Sequence, residues 1–241
     1  MKKLIAIILV LIIIFIGVCI YKSNSNKNKS VTAEEVDNIQ NYISKIYMWK
    51  EVTGDALPKF DNINNASDLW VWETVKKNLE NSELTYDEIM KKATELFGMQ
   101  FTKQFPKEGT EYMQYNQKLG EYISTGVGLD SLDDSFLIKN ITKNKNEYKV
   151  EIAEYLVDYS NSVDALNADE AAEESENTEL TNYSIYIKNL DEQTIATLNS
   201  TEISDGDTKI IEVVRDNIDK FTTKTVNLVK ENNNIYVKSV E

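Results

Sequence analysis

Tyr148-Lys149-Val150-Glu151-Ile152-Ala153-Glu154-Tyr155-Leu156-Val157-Asp158-Tyr159 is the stretch on which the fold turns. Tyr148, Val150 and Ile152 alternate on even positions; Tyr155, Val157 and Tyr159 alternate on odd ones. A period of two belongs to a strand whose side chains point alternately to either face. A strand serving one core needs an extra residue to change face, so a bulge is expected near Ala153-Glu154, and a bulge bends its sheet. Ser135–Thr142 supplies the partner strand, with a hairpin turn about Lys143-Asn144-Lys145-Asn146.

Towards the C-terminus the β pattern continues. Leu180–Ile187 alternates on Tyr183, Ile185 and Ile187, and Thr194–Leu198 is a further strand. Asp205-Gly206-Asp207 is a turn. Ile210, Val214, Ile218 and Phe221 then return to helical spacing, which predicts a short helix from Thr208 to about Lys220. Thr222–Lys230 and Ile235–Val240, joined at Glu231-Asn232-Asn233-Asn234, form the strongest hairpin signal in the chain. Residues 160–179 differ in kind: Asp164, Asp169, Glu170, Glu173, Glu174 and Glu176 occur there without one aromatic residue. That composition predicts an acidic, mobile insertion. Its acids do not keep EF-hand spacing and no glycine turns them inward, which argues against a calcium loop.

Towards the N-terminus the period becomes helical. Thr32 and Glu35 have capping-box spacing, followed by the stripe Val36, Ile39, Ile43 and Ile46. A second helix is expected from its N-cap Ser67 to about Leu79, with Leu69, Trp72, Val75 and Leu79 inward and Trp70 off the stripe. A third is framed by the capping box Thr85/Glu88 and by Gly98 at the position of a left-handed C-cap. After Gly98, Met99, Phe101 and Phe105 alternate as in a strand, and Tyr112–Tyr115 and Glu121–Ser124 are short strands. Thr125-Gly126-Val127-Gly128 has no helix signal after it and is not a phosphate loop.

Helices first, then strands with a bulged central pair, then a closing hairpin: this order resembles the nuclear transport factor two-like fold, with its cystatin-like curved sheet. Val226-Asn227-Leu228-Val229 and Asn234-Ile235-Tyr236-Val237 look like the final hairpin of such domains, and the bulge at Ala153-Glu154 fits their curvature. The resemblance lies in the layout of Thr32 to Glu241. It implies an α+β domain, three helices on a curved, mainly antiparallel sheet closing with a C-terminal hairpin. Some members are isomerase-like enzymes, others anchored extracytoplasmic modules; fold alone does not choose.

Location is set by Leu4–Ile20, 17 residues without charge or amide behind Met1-Lys2-Lys3. As a helix it spans roughly 25 Å, the lower limit for a bilayer. No small-residue cleavage site follows it, so residues 1–21 are expected to be a retained transmembrane signal-anchor. Ile16-Gly17-Val18-Cys19 resembles a bacterial lipobox, departing at Val18; if it is used, Cys19 is the lipidated residue. Residues 22–30 are a polar tether, and residues 31–241 are expected to be one α+β domain outside the cytoplasm. Beyond the span lie 24 basic and 40 acidic residues, a charge of −16 that repels nucleic acid.

The same composition limits the chemistry. Histidine is absent, the one cysteine lies within the span, and Arg215 is the one arginine. That removes histidine triads, most zinc and haem sites, thiol catalysis and multi-arginine phosphate clamps. What remains is carboxylate pairs, a Ser-Lys dyad, or tyrosine with a carboxylate. Asp133-Asp134 is read as a solvated loop pair, and no catalytic, metal or cofactor site is expected. The expectation is a non-catalytic, membrane-tethered interaction domain of a bacterial envelope protein. It would bind an envelope partner or itself, with Trp70 as the candidate contact residue. The alternative is a small-molecule-binding or isomerase-like domain using a tyrosine and a carboxylate in the cone of the sheet.

Overall fold

The computed structural model describes residues 30–79, 83–124, 132–159, 184–199 and 207–241. It is an α+β structure in which the described residues form five α-helices and mostly antiparallel sheet. The expected anchor at 1–21, Cys19, most of the tether, the Gly126–Gly128 turn and the acidic insertion at 160–179 lie outside the described residues. Among the described residues no helix is long and apolar enough to cross a membrane.

The chain from 31 onward, expected as a single domain, divides by contact into two compact units. A helical unit holds the residues up to Ser124, with Asn140–Glu151 and Thr225–Glu241. A strand-rich unit holds the described residues up to Lys139 from 132, and those within Ile152–Lys224. The chain passes between units inside strands, where composition carries no linker signal.

In the helical unit, α1 (Ala33–Ile46) opens on the expected capping box, with Thr32 and Glu35 satisfying each other's backbone N–H groups. It buries Val36, Ile39, Tyr42, Ile43 and Ile46, the stripe read from the sequence plus one tyrosine. The Tyr42 hydroxyl donates to the Leu96 carbonyl (3.0 Å) and accepts the Val237 N–H (2.8 Å). A single turn, α2 (Lys50–Thr53), precedes α3 (Asp68–Lys77).

The expected stripe of α3 is corrected. Leu69 is exposed, while Trp70 through Val75 are all buried. A helix covered on several sides has no single stripe to read. Next comes α4 (Tyr86–Phe97), with its own capping box at Thr85 and Glu88. Gly98 ends it at φ 82°, ψ 177°. That region is nearly exclusive to glycine and is not the left-handed cap expected. A Cβ there would lie 2.5 Å from the Gln100 side-chain oxygen.

A small sheet follows in the order β1-β4-β3-β2. Its strands are β1 (Glu83–Leu84), β2 (Gly109–Thr110), β3 (Met113–Asn116) and β4 (Glu121–Ser124). The strand expected over Met99–Phe105 does not form; Met99 is exposed, and Phe101 and Phe105 are buried without strand pairing. Their alternation reflects stacking instead. Phe60, Trp70, Phe97, Phe101, Trp72, Phe105, Tyr122 and Tyr115 form an unbroken run of ring contacts, with neighbouring centroids 4.9–5.8 Å apart. Such pairs stabilise beyond the area they bury.

The larger sheet runs β10-β9-β6-β7-β8, with β5 also paired to β6. Its strands are β5 (Leu132–Asn144), β6 (Glu147–Asp158), β7 (Ser184–Lys188), β8 (Thr194–Asn199), β9 (Thr222–Glu231) and β10 (Asn234–Val240). The closing hairpin is as expected, its two-residue turn held by Asn232 and Asn233 at positive φ. In the helical unit β6 buries even residues, Tyr148 and Val150, and exposes Lys149. In the strand-rich unit its odd residues Ala153, Tyr155 and Val157 join the core with Ile185, Ile187, Leu198, Val214 and Phe221. From Ile152 to Asp158 every residue of β6 is buried, so burial no longer alternates there. The helix α5 (Asp207–Asp216) adds Ile210 and Val214 to that second core.

Candidate functional site

Glu35 sits at the third position of α1, where the capping box needs a carboxylate to accept the Thr32 N–H. In the structure the same carboxylate does two further things. It takes the Lys143 ammonium from the end of β5 and accepts a hydrogen bond of 2.8 Å from the Tyr148 hydroxyl on β6. Lys143 also lies over the Tyr148 ring, 5.5 Å from its centroid. The hairpin turn at Lys145-Asn146 sets the geometry, since Lys145 at φ 57° lets two residues reverse the chain. Both members of the ion pair are mostly covered, with side chains 13% and 17% exposed.

The electrostatics follow from those partners. Burial alone pushes the Glu35 carboxyl up, but Lys143, the Thr32 N–H and the Tyr148 hydroxyl outweigh it and hold the group at about 2. Burial first, and then the bond and charge of Glu35, push the Tyr148 hydroxyl well above its ordinary value. At neutral pH the carboxylate is ionised and the phenol keeps its proton. A general base or acid works best with its pKa near the working pH, and neither group is placed so. The chemistry of this arrangement is a clamp: one carboxylate fixes the start of α1 to the β5–β6 hairpin. Beside it opens a hollow lined by Lys143, Tyr148, Glu147, Lys149, Asn227 and Lys238, among others.

A second carboxylate contrasts with it. Glu73 on α3 is 3% exposed. Lys76 approaches its Oε2 at 3.6 Å, and its Oε1 has no hydrogen-bond partner among the described residues. Burial raises its pKa, with Lys76 pulling down and Glu111 pushing up. In the strand-rich unit, Lys224 lies 3.2 Å from Glu154, and Lys188 donates to Asp158 at 2.5 Å. Glu154, Asp158 and Lys224 are all buried.

Trp70 is no surface contact: it is fully buried between Phe60 and Phe97, and its indole N–H donates to the Ala56 carbonyl at 3.2 Å. A place off the expected stripe suggests exposure only on a helix with one buried face, and α3 buries Trp70 through Val75 without a break. Asp133 and Asp134 lie in strand β5, not in a solvated loop. The Glu35–Lys143–Tyr148 cluster escaped sequence reading because its members lie 108 and 113 residues apart; only the capping role of Glu35 has a local signature. No family model matches this chain, and neither a curated protein nor a solved structure does.

Proposed function

We propose that the chain is a membrane-tethered, extracytoplasmic interaction domain of a bacterial envelope protein, without catalytic activity. The observation that carries this reading is the 17-residue uncharged run Leu4–Ile20, followed by a short polar tether and then a folded α+β body. The reading keeps the nuclear transport factor two-like layout, helices 33–97 on a curved antiparallel sheet with the β9–β10 hairpin closing it. Support against catalysis comes from the tyrosine–carboxylate cluster, whose two groups are held in protonation states unsuited to proton transfer. The partner is another envelope protein or a second copy. With Trp70 inside, the exposed large apolar side chains to follow among the described residues are Trp49, Leu69, Met99, Tyr115 and Leu119.

Protease added to intact spheroplasts should digest the domain, and crosslinking in whole cells followed by mass spectrometry should recover an envelope partner or a self-crosslink. A protected domain, or recovery without either partner, contradicts the proposal. The isomerase-like reading has one observation in its favour, the Tyr148 hydroxyl meeting Glu35 beside a hollow. It requires a ligand whose binding is lost in both Glu35→Gln and Tyr148→Phe.

A further inference from the structure

We infer that the stacked rings of the helical unit are a relay that carries one-electron oxidation from the buried indoles to Tyr115, where it is discharged into solvent. This activity is separate from the proposed interaction role and does not depend on the tether. The oxidisable members of the ring run are Trp70, Trp72, Tyr122 and Tyr115, and phenylalanines keep the stack continuous between the indoles and the phenols. Electron transfer between aromatic groups falls steeply with distance, and every step here is a ring contact. From Trp72 the path runs 5.0 Å to Phe105, 4.9 Å on to Tyr122 and 5.0 Å on to Tyr115, centroid to centroid. Trp70 joins through Phe97 and Phe101, with steps of 5.8, 5.2 and 5.8 Å. Tyr115 and Tyr122 are partners across β3 and β4, so strand register fixes the last contact. Tyr115 is 41% exposed, and the other seven rings of the run are buried.

The proton selects the end of the relay. A phenol that gives up an electron must also release its proton. The Tyr122 hydroxyl donates to the Lys107 backbone carbonyl at 3.2 Å, and a backbone carbonyl does not keep a proton. Burial, with Tyr115, Tyr86 and Glu108 adding to it, also pushes the Tyr122 hydroxyl above its ordinary value. Tyr86 lies 6.5 Å from Tyr122 and donates to the Gln104 side-chain oxygen at 3.0 Å, again no base. At Tyr115 the proton leaves to water. The step balances. A one-electron oxidant of the peroxyl or carbonate radical class leaves an indole radical cation at Trp72. That cation takes one electron from Tyr115 and is neutral indole again, while the Tyr115 O–H proton passes to water. The phenoxyl radical then takes a hydrogen atom from a dissolved thiol or ascorbate and is phenol again. Trp72, packed edge-on against Phe101 and Phe105, is spared oxidation inside the core.

The test uses the full chain in detergent with Trp49→Phe, since Trp49 is exposed and is not a member of the run. The chain has 3 tryptophans, so Trp70 and Trp72 are then the indoles present. A near-ultraviolet flash absorbed by indole and not by phenol, with hexaamminecobalt(III) as the irreversible electron acceptor, makes the indole radical. Its absorbance should decay as that of the phenoxyl radical grows, at a rate independent of protein concentration. Peptide mass spectra after sustained illumination should show oxidation products concentrated at Tyr115 over the half-buried Tyr112. Adding Tyr115→Phe, with the thermal midpoint as a folding control, should remove most of the phenoxyl signal and move the products to Trp72. Adding Tyr86→Phe should change neither. A transfer rate that rises with protein concentration, or equal products at Tyr115 and Tyr112, would overturn the inference without any substitution in the run. Phenoxyl growth unchanged by Tyr115→Phe would overturn it as well, and loss of the signal in Tyr86→Phe instead would overturn it in favour of an exit at Tyr86.

Discussion

Two glutamates of the helical unit show what decides the fate of a covered carboxylate. Glu35 and Glu73 both sit on helices, and both have a lysine within reach. At Glu35 an ammonium, a backbone N–H and a phenol converge, and the group stays ionised down to about 2. At Glu73 the lysine stands 3.6 Å off, one oxygen has no hydrogen-bond partner among the described residues, and burial moves the pKa upward. Proximity of opposite charge is common to both; the convergence of three donors on the charged form belongs to Glu35 alone of the two. Glu35 should hold structure together, and Glu73 should cost stability at neutral pH.

The largest expected effect is Glu35→Ala. It removes the helix cap, the ion pair and the Tyr148 partner together, and should lower unfolding stability by about 3 kcal/mol, the worth of a carboxyl moved from 4.5 to about 2. The pH dependence has a definite sign. Because the folded-state pKa is depressed, this contribution is complete above about 4.5 and disappears as pH falls towards 2. Denaturant melts between pH 7 and 3 should show the fall in the parent chain and a flatter profile in Glu35→Ala. A fall of equal steepness in both would assign acid lability elsewhere.

Tyr42 on the same helix measures what an uncharged buried group contributes. Tyr42→Phe leaves the Leu96 carbonyl and the Val237 N–H without their bonds and should cost about 1–3 kcal/mol, with no change in the acid profile. Tyr148→Phe removes one of the bonds to Glu35. It should cost about 1 kcal/mol and raise the pKa of Glu35. The smallest effect has the opposite sign. Glu73→Gln keeps the shape and drops the charge, and should stabilise at pH 7 by about 1 kcal/mol, a gain that shrinks as pH falls and Glu73 in the parent becomes protonated. Destabilisation by Glu73→Gln would mean that the Lys76 contact outweighs burial.

Legibility in the sequence followed the range of the forces involved. Both capping boxes, the stripe of α1, β4 and the closing hairpin rest on neighbours within a turn or a strand pair, and each was readable. Trp70 was misread because six consecutive residues of α3 are buried, which leaves no amphipathic contrast. Met99–Phe105 was misread because aromatic stacking on Trp72 and Phe97 imitates strand alternation. The shift of alternation in β6 leads into a run, Ile152 to Asp158, that is buried throughout, so side-chain burial there carries no period. Glu35 was visible as a cap, but nothing local announces that Lys143 and Tyr148 complete its shell.

The account stands on Glu35 being a permanently ionised clamp between α1 and the β5–β6 hairpin. Following its side-chain carboxyl carbon by NMR through an acid titration of the folded chain tests this directly. A midpoint near 2 is expected, accompanied by loss of the Tyr148 hydroxyl bond as the group protonates. A midpoint between about 5 and 7, where a general base would titrate, would contradict the clamp and turn the cluster back into a candidate for proton transfer.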